Sequence, residues 1–300
     1  MSRQTLFKDI GKRTNDLLTK EFPSEKVENK IEWKGEAPNN VTIESNLLQR
    51  KDGSIVGTFT PKYKTVWNGW GLSFLAELNT RKEFKEEITF EGSSQNVDGL
   101  KTTVTAQSKD DENWGTLAVE YRQELYSAHA SADYGKAKGS TVKGGFVVGH
   151  QGFFLGANSE YFVGNNDDSE LKEVHTQVGY STKEFDAAVF GRLDARGEED
   201  KNEFGATYFH NIKPELSVGT EITFDTANAD SKPKLTFGTQ YKVHEDTSVK
   251  AKFDTLGKLG VSLNQRYNKN ARFHISATVD TNNLSAKNAS NFGFVLALSD

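Results

Sequence analysis

A chain of 300 residues with 35% hydrophobic and 26% charged side chains is lean in the apolar material that several packed cores would need. A formal net charge of −5 argues against a nucleic-acid binder, which carries a basic surplus. With no cysteine, disulfides, thiolate metal sites and cysteine nucleophiles are excluded. No run approaches the ~18–20 apolar residues of a membrane helix, a test blind to strands that cross in alternation. The first residues lack an apolar h-region, and acidic Asp9 and Asp16 disfavour a cleaved presequence, so no leader is expected.

Residues 5–20 are predicted as one amphipathic helix, with Leu6, Phe7, Ile10, Leu17 and Leu18 on an apolar stripe. Lys8, Asp9, Lys12, Arg13, Asp16 and Lys20 take the rest of its surface, and Pro23 ends it. From about residue 28 onward the chain alternates apolar and polar residues in segments of roughly ten, separated by short turns. About nineteen such strands are predicted, between 28–35 and 290–298, with turns at 51–53, 165–168 and 228–231. No helix interrupts them, so an all-β antiparallel meander is favoured over a parallel βαβ sheet.

The alternation is clearest toward the C-terminus. Val249, Ala251 and Phe253 oppose Lys250, Lys252 and Asp254, and Leu259, Val261 and Leu263 oppose Lys258, Asn264 and Arg266. A soluble sheet would bury the apolar face, whereas a membrane barrel would turn it to lipid and line a wet lumen with the polar face. Strand number, the absence of linkers, segment lengths and aromatics near strand ends (Trp67, Trp70, Tyr121, Tyr126, Tyr161, Tyr180, Tyr241, Tyr267) bring the barrel level with the sandwich. The six histidines are scattered without metal-ligand spacing, and no phosphate loop or nucleophile elbow is present. No metal, cofactor or catalytic constellation is expected.

Several collinear segments resemble the eukaryotic mitochondrial porins, the voltage-dependent anion channels. Ile10 to Lys20 resembles the family's pore helix, and Gly99-Leu100-Lys101 its G-L-K tripeptide, associated there with nucleotide contact. Gly145 to Gly152 is similar to its mid-chain segment. Tyr241 to Leu263 resembles its C-terminal signature, fitting at Asp246-Thr247, Ala251 to Asp254 and Gly260-Val261 and departing at His244, Glu245 and Thr255. The resemblance implies a transmembrane barrel of 19 strands spanning 25–300, closed by parallel pairing of its first and last strands. Residues 1–24 would supply a helix inside the pore and its linker.

The resemblance also implies a voltage-gated channel of the mitochondrial outer membrane, in contact with membrane lipids. Its permeants would be small anions and cations and metabolites including ATP and ADP, and self-association is compatible with it. Lys12 and Lys101 are the expected permeant-contacting residues, and Lys250, Lys252, Lys258 and Arg266 candidate lumen cations. Asn291, Gly293, Leu296 and Leu298 fit a polar-x-Gly-x-x-hydrophobic-x-hydrophobic pattern similar to the insertion signal of mitochondrial barrels. Three departures stand out. Lys20-Glu21-Phe22-Pro23 replaces the family's glycine-rich hinge, Ala76 stands where many animal members carry a lipid-facing glutamate, and the net charge is negative. The alternatives are the related import pore of the outer-membrane translocase and a soluble β-rich binding protein.

Overall fold

The computed structural model describes residues 4–23, 27–93, 96–109, 112–135, 139–164, 169–195, 202–226, 232–285 and 289–300. The turns expected at 165–168 and 228–231 lie outside these residues. A short 3₁₀ turn, Phe7–Asp9, precedes the helix α1, Lys12–Thr19. The strands follow as β1 Val27–Ala37, β2 Val41–Arg50, β3 Ile55–Trp67, β4 Trp70–Asn79, β5 Phe84–Glu91, β6 Leu100–Lys109 and β7 Glu112–Arg122. Next come β8 Tyr126–Tyr134, β9 Gly139–His150, β10 Phe153–Gly164, β11 Ser169–Ser181, β12 Phe185–Asp194 and β13 Glu203–Lys213. The last six are β14 Leu216–Asp225, β15 Lys234–His244, β16 Thr247–Asp254, β17 Lys258–Asn268, β18 Ala271–Asp280 and β19 Ser290–Ser299.

Each strand pairs antiparallel with the next in sequence, and one 19-stranded sheet results. It closes on itself through β1 and β19, which run parallel in a register that sets Ile31 beside Leu296 and Trp33 beside Leu298. Closure with an odd strand number requires this single parallel seam, because β1 and β19 then point the same way. It also leaves no unpaired edge.

Strand alternation sorts the side chains onto two faces. Outward lie Phe237, Phe253, Val261, Ile275, Phe292 and Phe294, all solvent-exposed and large. A water-soluble protein hides such a surface; a bilayer covers it. Inward lie the polar residues, among them Thr60, Thr89, Thr105, Ser262 and Ser276, which are buried. Outward aromatics gather at one rim, where Tyr121 faces Tyr126 with ring centroids 6.0 Å apart and Phe153 meets Tyr180 at 4.6 Å. Trp67, Tyr241 and Tyr267 stand at that same rim, the one to which β19 delivers the C-terminus.

The predicted helix over 5–20 is corrected in one respect: it is broken. Ile10 is extended (φ −68°, ψ 137°) and Gly11 is left-handed (φ +68°), a conformation that costs glycine least. The apolar spacing runs through this break, so periodicity alone could not reveal it.

Candidate functional site: a helix fastened inside the lumen

The N-terminal segment lies on the polar, inward face of the barrel. Its apolar residues Leu6, Phe7, Leu17 and Leu18 are 0–5% exposed. Burial of this kind stabilises by about 1.5–3 kcal/mol per side chain. Three inward glycines make room for it. A Cβ on Gly156 would lie 2.8 Å from Phe7, one on Gly219 2.8 Å from Leu17, and one on Gly238 2.5 Å from Leu18. The helix therefore docks into sockets where the wall lacks side chains, on β10, β14 and β15.

Polar contacts fasten the segment along its length. Near the start, the Gln4 N–H donates to the Gln123 carbonyl at 2.6 Å, and the Ser127 hydroxyl to the Thr5 carbonyl at 2.7 Å. Lys8 pairs with Glu120 of β7. Arg13 pairs with Asp186 of β12, and its guanidinium donates to the carbonyls of Lys183 at 2.8 Å, Phe185 at 3.2 Å and Thr182. Arg13 also lies over the Phe209 ring, 5.1 Å from its centroid.

At the other end, Lys250 and Lys252 of β16 reach the helix C-terminus. Lys252 donates to the Leu18 carbonyl at 2.8 Å, and Lys250 to the Asp16 carbonyl at 3.4 Å. The final turn of a helix leaves carbonyls unpaired and carries the negative end of its dipole, so two ammonium groups complement it. The chain then turns at Glu21, a non-glycine residue with φ +70°. Its carboxylate forms an ion pair with Lys250 at 3.1 Å and accepts a hydrogen bond from the Asn264 amide of β17 at 2.9 Å. Phe22 follows, with the Lys252 ammonium 4.3 Å from its ring centroid.

The expected site residues thus fall into distinct settings. Lys12, 57% exposed, pairs with Asp9 at 3.3 Å, and Lys20 pairs with Asp16 at 2.8 Å, all within the N-terminal segment. Lys101 stands inward on β6 between Glu91 and Glu120 of the neighbouring strands and forms no salt bridge with a described residue. Lys258 is exposed at the start of β17, and Arg266 pairs with Asp246 at 3.7 Å near the opposite rim. Lys250 and Lys252 face inward but are engaged by the helix. Sequence reading missed Glu120, Asp186, Glu21 and the three socket glycines. An inward glycine in an otherwise regular strand is the one signal that could have marked them.

Two cavities flank the helix. One of about 740 Å³ lies beside Asp9, Lys12, Arg13, Asp16, His150 and Asp186. The other, about 810 Å³, lies beside Phe22, Lys51, Glu221, Lys234, Lys252 and Lys258. Among the described residues, these polar and socket contacts fall between β7 and β17, and none of them falls on β1–β6, an arc left to the lumen. Among the described residues no group of three or more His, Cys, Asp or Glu is placed to hold a metal.

A closed sheet with an apolar exterior, a charged interior and a helix laid along its inner wall defines a membrane pore. A family model described as eukaryotic porin matches residues 5–293, and the chain belongs to that family. A voltage-dependent anion-selective channel of Drosophila melanogaster is 25% identical, the alignment covering 93% of this chain and 94% of the relative. A mitochondrial outer membrane protein porin of Candida albicans is 26% identical, with 97% of each chain covered. A non-selective voltage-gated ion channel of Homo sapiens is 22% identical, with 93% of each covered. The protein is a channel of the mitochondrial outer membrane and not an enzyme.

Proposed function

We propose that the pore is voltage-gated and lets ions and small hydrophilic metabolites, including ATP and ADP, diffuse across the mitochondrial outer membrane. The observation that carries this reading is the arc left open beside the helix and the character of its charges. By alternation, Lys30, Lys34, Arg50, Lys62, Lys64, Lys85, Lys101 and Lys109 point inward along β1–β6. They outnumber Glu32, Glu36, Glu44, Glu77, Glu87 and Glu91 on the same face. Several of these pair with each other, as Lys62 does with Glu44 at 2.6 Å and Lys85 with Glu87 at 3.0 Å. Lys64 and Lys101 form no such pair with described residues, so a positive excess faces the water of this arc although the chain is negative overall.

A wide pore leaves its permeants hydrated, and selectivity then follows the local wall charge rather than binding. Lys12 on the helix and Lys101 on β6 are the two proposed permeant contacts. Residues 1–24 and 25–300 act, in this reading, as a fastened insert and a barrel.

The test is reconstitution of refolded protein into lipid vesicles loaded with ATP and into planar bilayers. Discrete conductance steps that fall at high potential, together with ATP release, are expected. Conductance with ATP fully retained would restrict the pore to small ions, and a chain extracted from membranes by alkaline carbonate would contradict the membrane reading.

A further inference from the structure

Away from the strand ends, one described histidine falls on the outward face of the barrel by alternation, and it is His210 of β13. Asp186 and Phe209 face the lumen, where both meet Arg13, so Phe185 of β12 and Tyr208 and His210 of β13 face the membrane. A histidine on that face is disfavoured unless its ring nitrogens find partners. The Tyr208 hydroxyl lies 3.1 Å from Nδ1, and Nε2 has no partner among the described residues.

The rings around His210 make a corner. Phe185 stands opposite His210 in register. The ring planes of Phe185, Tyr208 and His210 cross one another at 72–90°, with centroids 5.3–6.2 Å apart. Tyr180 of β11 continues the surface 6.1 Å from Phe185, and Phe153 of β10 lies 4.6 Å from Tyr180. Phe153 is 67% exposed and the other four are half-buried, so each leaves part of its ring to the bilayer.

These residues are ordered by depth. Phe153 and Phe185 open their strands and Tyr180 is next to last in its own, so all three sit at the rim. His210 is three residues in from the end of β13. At ~3.3 Å per residue and a tilt of ~45°, it lies roughly 7 Å deeper along the membrane normal. Aromatic faces therefore stand above a ring nitrogen, at the level where lipid headgroups meet the wall. A phosphocholine headgroup has the matching order, its trimethylammonium outermost and its phosphate beneath.

We propose that this patch binds a membrane phosphatidylcholine by its headgroup. The Tyr208 hydroxyl donates to Nδ1, which puts the ring proton on Nε2, and Nε2–H donates to the phosphate. The trimethylammonium rests on the Phe153, Tyr180 and Phe185 rings, whose faces attract a cation. A quaternary ammonium has no N–H and gives up no hydrogen bond on a ring face. A primary ammonium has three and needs acceptors, and no carboxylate among the described residues shares the outward face of β12 or β13. Choline lipids are thereby selected over ethanolamine lipids.

The experiment is native mass spectrometry of protein refolded in equal amounts of choline, ethanolamine and glycerol phospholipids with the same acyl chains. The wild-type chain is expected to retain the choline lipid about tenfold over the ethanolamine lipid, the scale of one desolvated cation–π contact. Retention should rise stepwise through the mono- and dimethylated ethanolamine lipids, a readout that needs no variant to fold. Phe185→Leu should abolish the preference. His210→Phe should lower retention of both lipids alike, because the phosphate is common to them. Phe204→Leu, outward at the far rim of β13, and Glu184→Gln, in the turn before β12, should keep the preference. Equal retention of choline and ethanolamine lipids by wild type, retention led by the anionic glycerol lipid, or no rise with methylation would overturn the proposal. So would an unchanged preference in Phe185→Leu, unchanged retention in His210→Phe, or loss of the preference in either control. Conductance steps recorded from the same preparations keep the outcome separate from the channel reading, which stands or falls on those steps alone.

Discussion

Lys250 is 6% exposed, a rare state for a lysine, and at that depth its ammonium meets the Glu21 carboxylate and the Asp16 carbonyl. Replacing it with methionine would keep the packing volume but leave Glu21 with Asn264 alone, an uncompensated carboxylate costing about 3 kcal/mol or more. Lys250→Met is therefore expected to speed amide hydrogen exchange across 12–21 while the strands stay protected; unchanged exchange there would show that Lys250 does not hold the helix. A second residue-scale expectation concerns the β4–β5 turn. The Asn79 side chain, donating at 2.7 Å, and then Lys109 at 3.3 Å hold the Glu83 carboxyl below the ordinary value of 4.5. A depressed carboxyl contributes stability above that ordinary value and loses it as pH falls through its lowered one. Asn79→Ala should move the Glu83 titration upward by NMR, and because Glu83 sits in a surface turn, only partly covered, the effect on stability should be small.

At the scale of elements, α1 is positioned by what the wall lacks as much as by what it offers. Gly219→Val would drive a side chain into Leu17, and Gly238→Val one into Leu18, each overpacking by about 1–3 kcal/mol. These variants are expected to keep the barrel's circular dichroism and to lose helix protection in hydrogen exchange; preserved protection would mean the sockets are not needed. The closing strand β19 carries its own expectation. Phe292, Phe294, Leu296 and Leu298 share the outward face beside β1, while Asn291 and Gly293 point inward. If these residues form an insertion signal, Gly293→Ala with Leu296→Asp should impair assembly into isolated mitochondria, and normal insertion would refute it. The strands were legible from sequence because a two-residue period survives every turn, and β4, β5, β8 and β18 begin and end where the alternation does. The helix break at Gly11 was not legible, since the apolar spacing of Leu6, Ile10 and Leu17 continues across it. Nor were the roles of Lys250 and Lys252, because alternation gives the face of a side chain but not which partner meets it there.

For the whole molecule, one parallel seam closes nineteen strands and the N-terminal segment fills one side of the interior. Nothing in the chain's net charge of −5 reveals how its charges divide between helix contacts, rim and open arc. The helix consumes Lys8, Arg13, Lys250 and Lys252 in fastening itself, which removes them as free lumen charge. Voltage sensing needs charge that moves in the field, worth ~2.3 kcal/mol for each charge crossing 100 mV. With Glu21 clamped where a flexible hinge would otherwise lie, closure by outward swinging of α1 would have to break the contacts of Arg13, Lys250 and Lys252 together. On the function proposed above, selectivity rests on the charges left facing water, Lys12 and Lys101 foremost. The most direct measurement is the reversal potential across a salt gradient in planar bilayers for wild type and the Lys12→Glu, Lys101→Glu double variant. The double variant is expected to shift toward cation preference with single-channel conductance retained; an unchanged reversal potential would show that neither lysine faces the conduction path.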